Sequence, residues 1–209
     1  MRRSTPAVTI NNVHLFALIN AAPGLLAWPL ALVRVLAVGL VFALPLRLAL
    51  AWVRGDLVAR RELCEMLLAV ALALALAQLV ALVWPQPRPA ALHLGQQYLA
   101  HAQGSGLPSL HVTMFWSLGL AALVTRRFGL WALPLLSLGL AVGWSRVYLG
   151  AHMPYDVLAA APVALAGAML ARLLRPELAP FVVRWLYLYD RLERQFQAWR
   201  TGRPGRPGA

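Results

Sequence analysis

LCEMLLAVALALALAQLVALVW, residues 63–84, carries a single charge, Glu65, and then runs through Leu, Ala and Val to a Trp followed by Pro85. The run has the roughly 20 residues that cross a bilayer's hydrocarbon as a helix, and its closing Trp marks a membrane interface. On its N-terminal side lies a polar patch, RGDLVARRELCE (54–65), read as a turn, preceded by another apolar run from Arg34 to Val53. On its C-terminal side, residues 85–109 (PQPRPAALHLGQQYLAHAQGSGLPS) are too rich in Pro, Gly, Gln and His to lie in lipid. Three further spans come after it, Pro108 to Val124, Leu130 to Trp144 (extendable through Leu149) and Pro154 to Leu174, separated by Thr125-Arg126-Arg127 and by a Ser145–His152 turn. The expected fold is all-α, a polytopic membrane helix bundle of five transmembrane helices, or six if residues 12–33 also cross.

Composition agrees with that frame. The chain of 209 residues is 61% hydrophobic and only 12% charged, where soluble domains are near half apolar and a quarter charged. Its net charge of +12 comes from 19 Arg, with no Lys, against 7 acids. The arginines fall mostly at the ends of apolar runs and in the tail, which suits anionic lipid and argues against a nucleic-acid partner. A lone Cys64 excludes an internal disulfide and a cysteine metal cage. The start, Met-Arg-Arg and then polar residues, has no small-residue cleavage site and is read as no removable signal peptide.

The chain divides into three expected parts. Residues 1–33 form an N-terminal interfacial segment, because NVHLFALINA (12–21) is short and Pro23 and Pro29 interrupt the residues after it; its His14 is an interfacial polar group. Residues 34–174 form the membrane-embedded domain. Residues 175–209 form a basic amphipathic cytoplasmic tail, in which Trp, Tyr, Leu and Phe alternate with Arg before a disordered RPGRPGA end.

Topology is set by the arginines. Arg54, Arg60, Arg61, Arg126, Arg127, Arg172 and Arg175 belong in the cytoplasm by the positive-inside rule, so the 85–109 loop and the 145–152 turn face outside. Those outer connections carry Arg88, His93, His101, His111, Arg146 and His152. Six of the seven acids belong to the cytoplasmic turn or tail, which leaves Asp156 as the only outer carboxylate. A divalent-metal site needs several carboxylates or a His cluster, so the expected chemistry uses no metal and no cofactor.

Three outer stretches carry that chemistry: Arg88-Pro89, Pro108-Ser109-Leu110-His111, and SRVYLGAHMPYD (145–156). If His152 opens a helix, Asp156 lies one turn along the same face and accepts from one imidazole nitrogen, leaving the other as a nucleophile. Arg88 and Arg146 clamp a phosphate or diphosphate, and Ser109 adds donors at a helix N-terminus. His111 is placed to protonate the leaving oxygen and then to activate water. Taken singly, Arg88-Pro89 reads as a turn, Pro108-Ser109 as a cap, and His152 with Asp156 as a polar pair. Arg34 has two readings, a membrane anchor that snorkels to the interface or a contact to the second phosphate of a diphosphate.

Together the stretches resemble the type 2 phosphatidic acid phosphatase superfamily, whose signatures are KxxxxxxRP, PSGH and SRxxxxxHxxxD. Ser145, Arg146, His152 and Asp156 match the third throughout, the second reads PSLH with Leu110 where Gly is usual, and the first keeps Arg88-Pro89 with Ala81 at the Lys position. Within it, LFALINAAP, GSGLPSLHVTMFW and WSRVYLGAHMPYD look like the bacitracin-resistance type of undecaprenyl-diphosphate phosphatase. That resemblance implies the fold of the superfamily, a phosphohistidine on His152, and substrate contacts from Arg88, Arg146, Ser109, Ser145 and Leu110. It further implies a polyprenyl diphosphate or related lipid phosphate as substrate, release of phosphate, and a bacterial inner-membrane enzyme with its site toward the periplasm. Alternatives are a phosphatidylglycerophosphate or phosphatidate phosphatase, a lipid A phosphotransferase, and, from another class, a non-catalytic scaffold or flippase.

Overall fold

The computed structural model describes residues 9–99 and 104–201; His101, the first eight residues and the RPGRPGA end lie outside the described residues. Among the described residues every regular element is helical: α1 (Ile10–Ile19), α2 (Ala27–Arg34), α3 (Leu40–Arg54), α4 (Leu57–Val83), α5 (Leu110–Ala122), α6 (Ala132–Tyr148), α7 (Pro154–Leu158) and α8 (Ala160–Thr201). A π turn, Val35–Gly39, joins α2 to α3, and single 3-10 turns at Pro89–Leu92 and Gly129–Trp131 punctuate the loops. Four helical stretches are long and apolar enough to cross a membrane: 27–54, 57–83, 129–148 and 154–200. The helices 10–19 and 110–122 are apolar but shorter.

Several boundaries differ from the sequence expectation. The first span begins at Ala27 and not Arg34, because Pro29 falls in the first helical turn, where its missing N–H costs nothing. The expected polar turn at 54–65 shrinks to Gly55 and Asp56. The Asp56 side chain caps α4 by accepting from the Ala59 N–H at 2.8 Å, so Arg60 and Arg61 are helical. No break occurs at Leu174. The helix continues to Thr201 with Pro176 and Pro180 inside it, and Tyr189, Asp190 and Glu193 dock its far part on Trp52 and Arg60.

α4 and α8 pack closely through Ala69, Ala73 and Ala77, all fully buried at a spacing of four, with Gly167 of α8 lying against Ala73. Small residues let helix backbones approach where lipid supplies no hydrophobic drive. One apolar cluster, including Met66, Ala69, Leu118 and Ala171, fills the bundle centre. A second, Phe16, Val112, Val147, Met153, Val157 and Ala160, underlies the 152–156 segment.

α5 is short beside α4, α6 and α8. Its 13 residues rise only about 20 Å, against roughly 30 Å for a full span. Its inner end is fixed, since both oxygens of Glu62 accept from the Arg126 and Arg127 N–H groups at 2.9 Å. Its other end carries Ser109 and His111, the second motif stretch.

Candidate active site

Each motif stretch is held by local structure. Ser109 is the N-cap of α5, and its N–H donates to the Asp156 carbonyl at 2.9 Å, which ties the second stretch to the third. Gly106 N–H donates to Gln86 O at 2.8 Å and the Gln86 N–H donates to Ser105 Oγ at 3.1 Å, which brings the first stretch alongside. Arg146 is in the last turn of α6 and not in a loop before a helix.

His152 also differs in detail from the expectation. It precedes α7, which starts at Pro154, and does not open a helix. Asp156, at the third helical position, reaches back instead: its Oδ2 is 3.2 Å from His152 Nδ1 and accepts the Met153 N–H at 2.9 Å. Both side chains are 2% exposed, so the pair is sealed from bulk solvent. An Nδ1–H donating to the carboxylate leaves Nε2 with its lone pair free. Burial pushes the His152 imidazole below its ordinary value, although the Asp156 hydrogen bond and charge oppose this.

The arginines approach from two sides. Arg88 Nη1 donates to Ala151 O at 3.4 Å and Nη2 to Ser105 O at 3.2 Å. Arg146 Nη1 donates at 3.3 Å to Ala37 O, in the π turn. Neither meets a carboxylate at ion-pair distance among the described residues. Burial draws Arg88 below its usual range, and the Asp156 charge partly restores it. His111, at the second position of α5, is half-buried and within electrostatic range of Arg146, His152 and Arg88. Among the described residues three buried polar side-chain atoms have no hydrogen-bond partner, namely Arg88 Nε, Arg146 Nε and Ser109 Oγ. One falls in each motif stretch. Buried donors are rarely left open, and three together make a cradle for an anion.

The remaining sequence candidates fall differently. Ser145 is fully buried, but its Oγ donates to Val142 O at 2.7 Å within α6. Leu110 is 37% exposed, so its side chain stays outside the buried cluster. Arg34 donates twice to Tyr98 O, at 3.1 and 2.8 Å, and so holds the 85–109 loop.

Residues beyond the sequence candidates also build the site. A Cβ on Gly106 would lie 2.7 Å from Asp156 Oδ2 and 3.3 Å from Arg88 Cγ, so only hydrogen fits between those groups. Asn12 Oδ1 accepts the Tyr155 N–H at 3.1 Å, which braces α7. Asn20 Nδ2 donates to Gln96 O and Tyr148 O, both at 3.1 Å, and Oδ1 accepts the Gln96 N–H at 2.6 Å. The signal was present in the LFALINAAP and GSGLPSLH stretches, where an Asn in an apolar helix end and a Gly two residues before a Pro each need a reason.

Known proteins resemble this chain in sequence and in fold. YbjG of Escherichia coli (strain K12), assigned as an undecaprenyl-diphosphatase, is 30% identical over 189 residues, 90% of this chain and 89% of its own. The undecaprenyl-diphosphatase BcrC of Bacillus subtilis (strain 168) is 30% identical over 139 residues, 66% of this chain and 71% of its own. The crystal structure of Aquifex aeolicus LpxE superposes with a TM-score of 0.62 at 20% identity, over 80% of this chain and 98% of that one, a likeness of fold. With the family's domain description matching residues 62–179, across all three motif stretches, the chain belongs to the PAP2 superfamily.

Proposed function

We propose that the protein hydrolyses undecaprenyl diphosphate, or a closely related polyprenyl diphosphate, to the monophosphate and inorganic phosphate without a metal ion. The observation that carries this is the set of open buried donors, Arg88 Nε, Arg146 Nε and Ser109 Oγ, around the His152–Asp156 pair. Relatives named as undecaprenyl-diphosphatases support the substrate class.

His152 Nε2 attacks the terminal phosphorus while Asp156 holds the Nδ1 proton and stabilises the imidazolium that forms. The bridging P–O bond breaks, and His111 gives a proton to the departing lipid monophosphate. His111 then takes a proton from water, which attacks phosphorus, breaks the N–P bond and releases phosphate. Arg88, Arg146 and Ser109 carry the charge on the transferring oxygens in both steps. Asp156 is the sole acid at this end, and its carboxylate is committed to His152 Nδ1 and the Met153 N–H. The paired acids and arginines at the other end support an inner-membrane orientation with the site toward the periplasm.

The test is phosphate release by purified protein in EDTA from a panel of lipid diphosphates and monophosphates, with acid-labile phosphoenzyme trapped in parallel. Turnover in chelator with highest kcat/KM on the polyprenyl diphosphate is expected. Loss in EDTA restored by a divalent ion rejects the metal-free mechanism, and preference for phosphatidylglycerophosphate or phosphatidate rejects the substrate.

A further inference from the structure

A cavity of about 360 Å³ lies between α3 and the first half of α6, with Phe115 from the middle of α5 and Met66 of α4 also lining it. That volume is in the range of small-ligand sites. One wall is a stripe of α3, in which Leu40, Leu44, Arg47, Ala51 and Arg54 recur every three or four residues. No residue of α3 is fully buried: Leu44 packs on the central cluster and Trp52 on Tyr189, and the cavity lies beside Arg47 and Arg54. Phe115, Phe128, Leu135 and Leu138 line the opposite wall.

Two charges face this apolar gap. Arg47 and Arg54 are two turns apart on one face, about 10 Å along the axis, so Arg47 lies well inside the hydrocarbon span. Among the described residues neither meets a carboxylate, since the inner-end acids are taken by Arg60, Arg61, Arg127, Arg175 and Arg194. The Arg47 guanidinium carbon sits 5.0 Å from the Trp131 ring centroid. Stacking occupies one face of the guanidinium and leaves its in-plane N–H groups free, the geometry that suits phosphate oxygens. An arginine at this depth is costly and is kept where it meets a partner.

We propose that this cavity binds one anionic phospholipid of the adjoining leaflet, with its phosphate between Arg47 and Arg54 and an acyl chain against Leu44, Leu135 and Leu138. Basic pockets between transmembrane helices select anionic headgroups in this way. The site is independent of the chemistry at His152. It would brace α3, whose upstream π turn supplies the Ala37 carbonyl to Arg146.

The full chain in neutral detergent is titrated with phosphatidylglycerol or chain-matched phosphatidylcholine while the thermal midpoint is monitored. Phosphatidylglycerol should raise the midpoint at concentrations where phosphatidylcholine does not. The double variant Arg47→Gln, Arg54→Gln should need about tenfold more or greater for the same rise. Equal response to the two lipids, an unchanged response in the variant, or the same rise from inorganic phosphate alone would overturn the site. A second measurement needs no variant: a diazirine-bearing phosphatidylglycerol should crosslink to peptides 40–54 and 128–138 of the unaltered protein. Crosslinks confined to α1 or α8 would also overturn it.

Discussion

Arginines are drawn out of solvent at both ends of this bundle, Arg60 buried at one and Arg88 and Arg146 half-buried at the other, and they are treated in opposite ways. At the inner end Arg60, 6% exposed, has every side satisfied: Nε donates to Trp52 O at 3.1 Å, Nη1 pairs with Glu193 at 3.0 Å and faces Asp190 at 3.7 Å, and Trp52 and Tyr189 flank its plane. At the outer end Arg88 and Arg146 have only carbonyl acceptors, each keeps Nε open, and the one carboxylate nearby is committed to His152 and Met153. A satisfied buried arginine holds two helices together. In the proposed function the unsatisfied pair waits for the substrate's phosphate, and the cost of withdrawing it from solvent is recovered when that anion binds.

The largest effects are expected at the centre of the unsatisfied cluster. His152→Ala should reduce phosphate release to background with the protein still folded, because no other group can take the phosphoryl group. Asp156→Asn should cost about 10³-fold or more in kcat through loss of the orienting carboxylate. Because burial lowers the His152 value, neutral imidazole persists into mild acid and the acid limb of kcat/KM should fall below pH ~6.5. The carboxylate acts in the raising direction, so the residual activity of Asp156→Asn should have its acid limb lower still. An Asp156→Asn profile shifted upward would contradict the assigned pairing.

Next come the two sets of arginines, compared directly. Arg88→Gln or Arg146→Gln should lower kcat/KM by about 10²–10³-fold, in line with loss of one preorganised donor, while stability changes by less than about 1 kcal/mol. Arg60→Gln should do the reverse. It leaves Glu193 without its arginine and Asp190 with Arg194 alone, and since those acids are 32% and 22% exposed the expected loss is about 2 kcal/mol, below the value for a fully buried pair. Its kcat/KM should stay within about twofold of the native protein's. Thermal melts and kinetics on the three variants decide this, and a melt loss at Arg88 as large as at Arg60 would erase the distinction.

This contrast was only half legible in the sequence. The spacing of Ser145, Arg146, His152 and Asp156 pointed to the His152–Asp156 contact that the fold forms, because a separation of four survives whether His152 opens a helix or precedes one. The gathering of acids at one end was legible too, since Asp56, Glu62, Glu65, Asp190 and Glu193 all flank basic runs. What could not be read was which acid meets which arginine. Arg60 pairs with residues 130 and more positions away on a helix expected to stop at Leu174, which runs on through Pro176 and Pro180. Gly106 and Asn20 escaped for the same reason: their importance lies in what other segments bring against them.

The smallest effect sharpens the comparison at its margin. From sequence Arg34 has two readings, a snorkelling anchor or a substitute for the Lys absent at Ala81, and its contacts favour neither in simple form. Both of its donors go to Tyr98 O, while the Tyr98 N–H donates to Leu149 O at 3.0 Å and its hydroxyl to Ala22 O at 2.9 Å. Arg34 is thus a satisfied arginine at the outer end, fastening the 85–109 loop over the end of α6. Arg34→Gln should loosen that loop and lower kcat/KM about threefold, the scale of one hydrogen bond, equally on a lipid diphosphate and a monophosphate. A loss at least about tenfold greater on the diphosphate would mean that Arg34 leaves Tyr98 for the second phosphate when substrate binds, and would move it from the satisfied group to the waiting one.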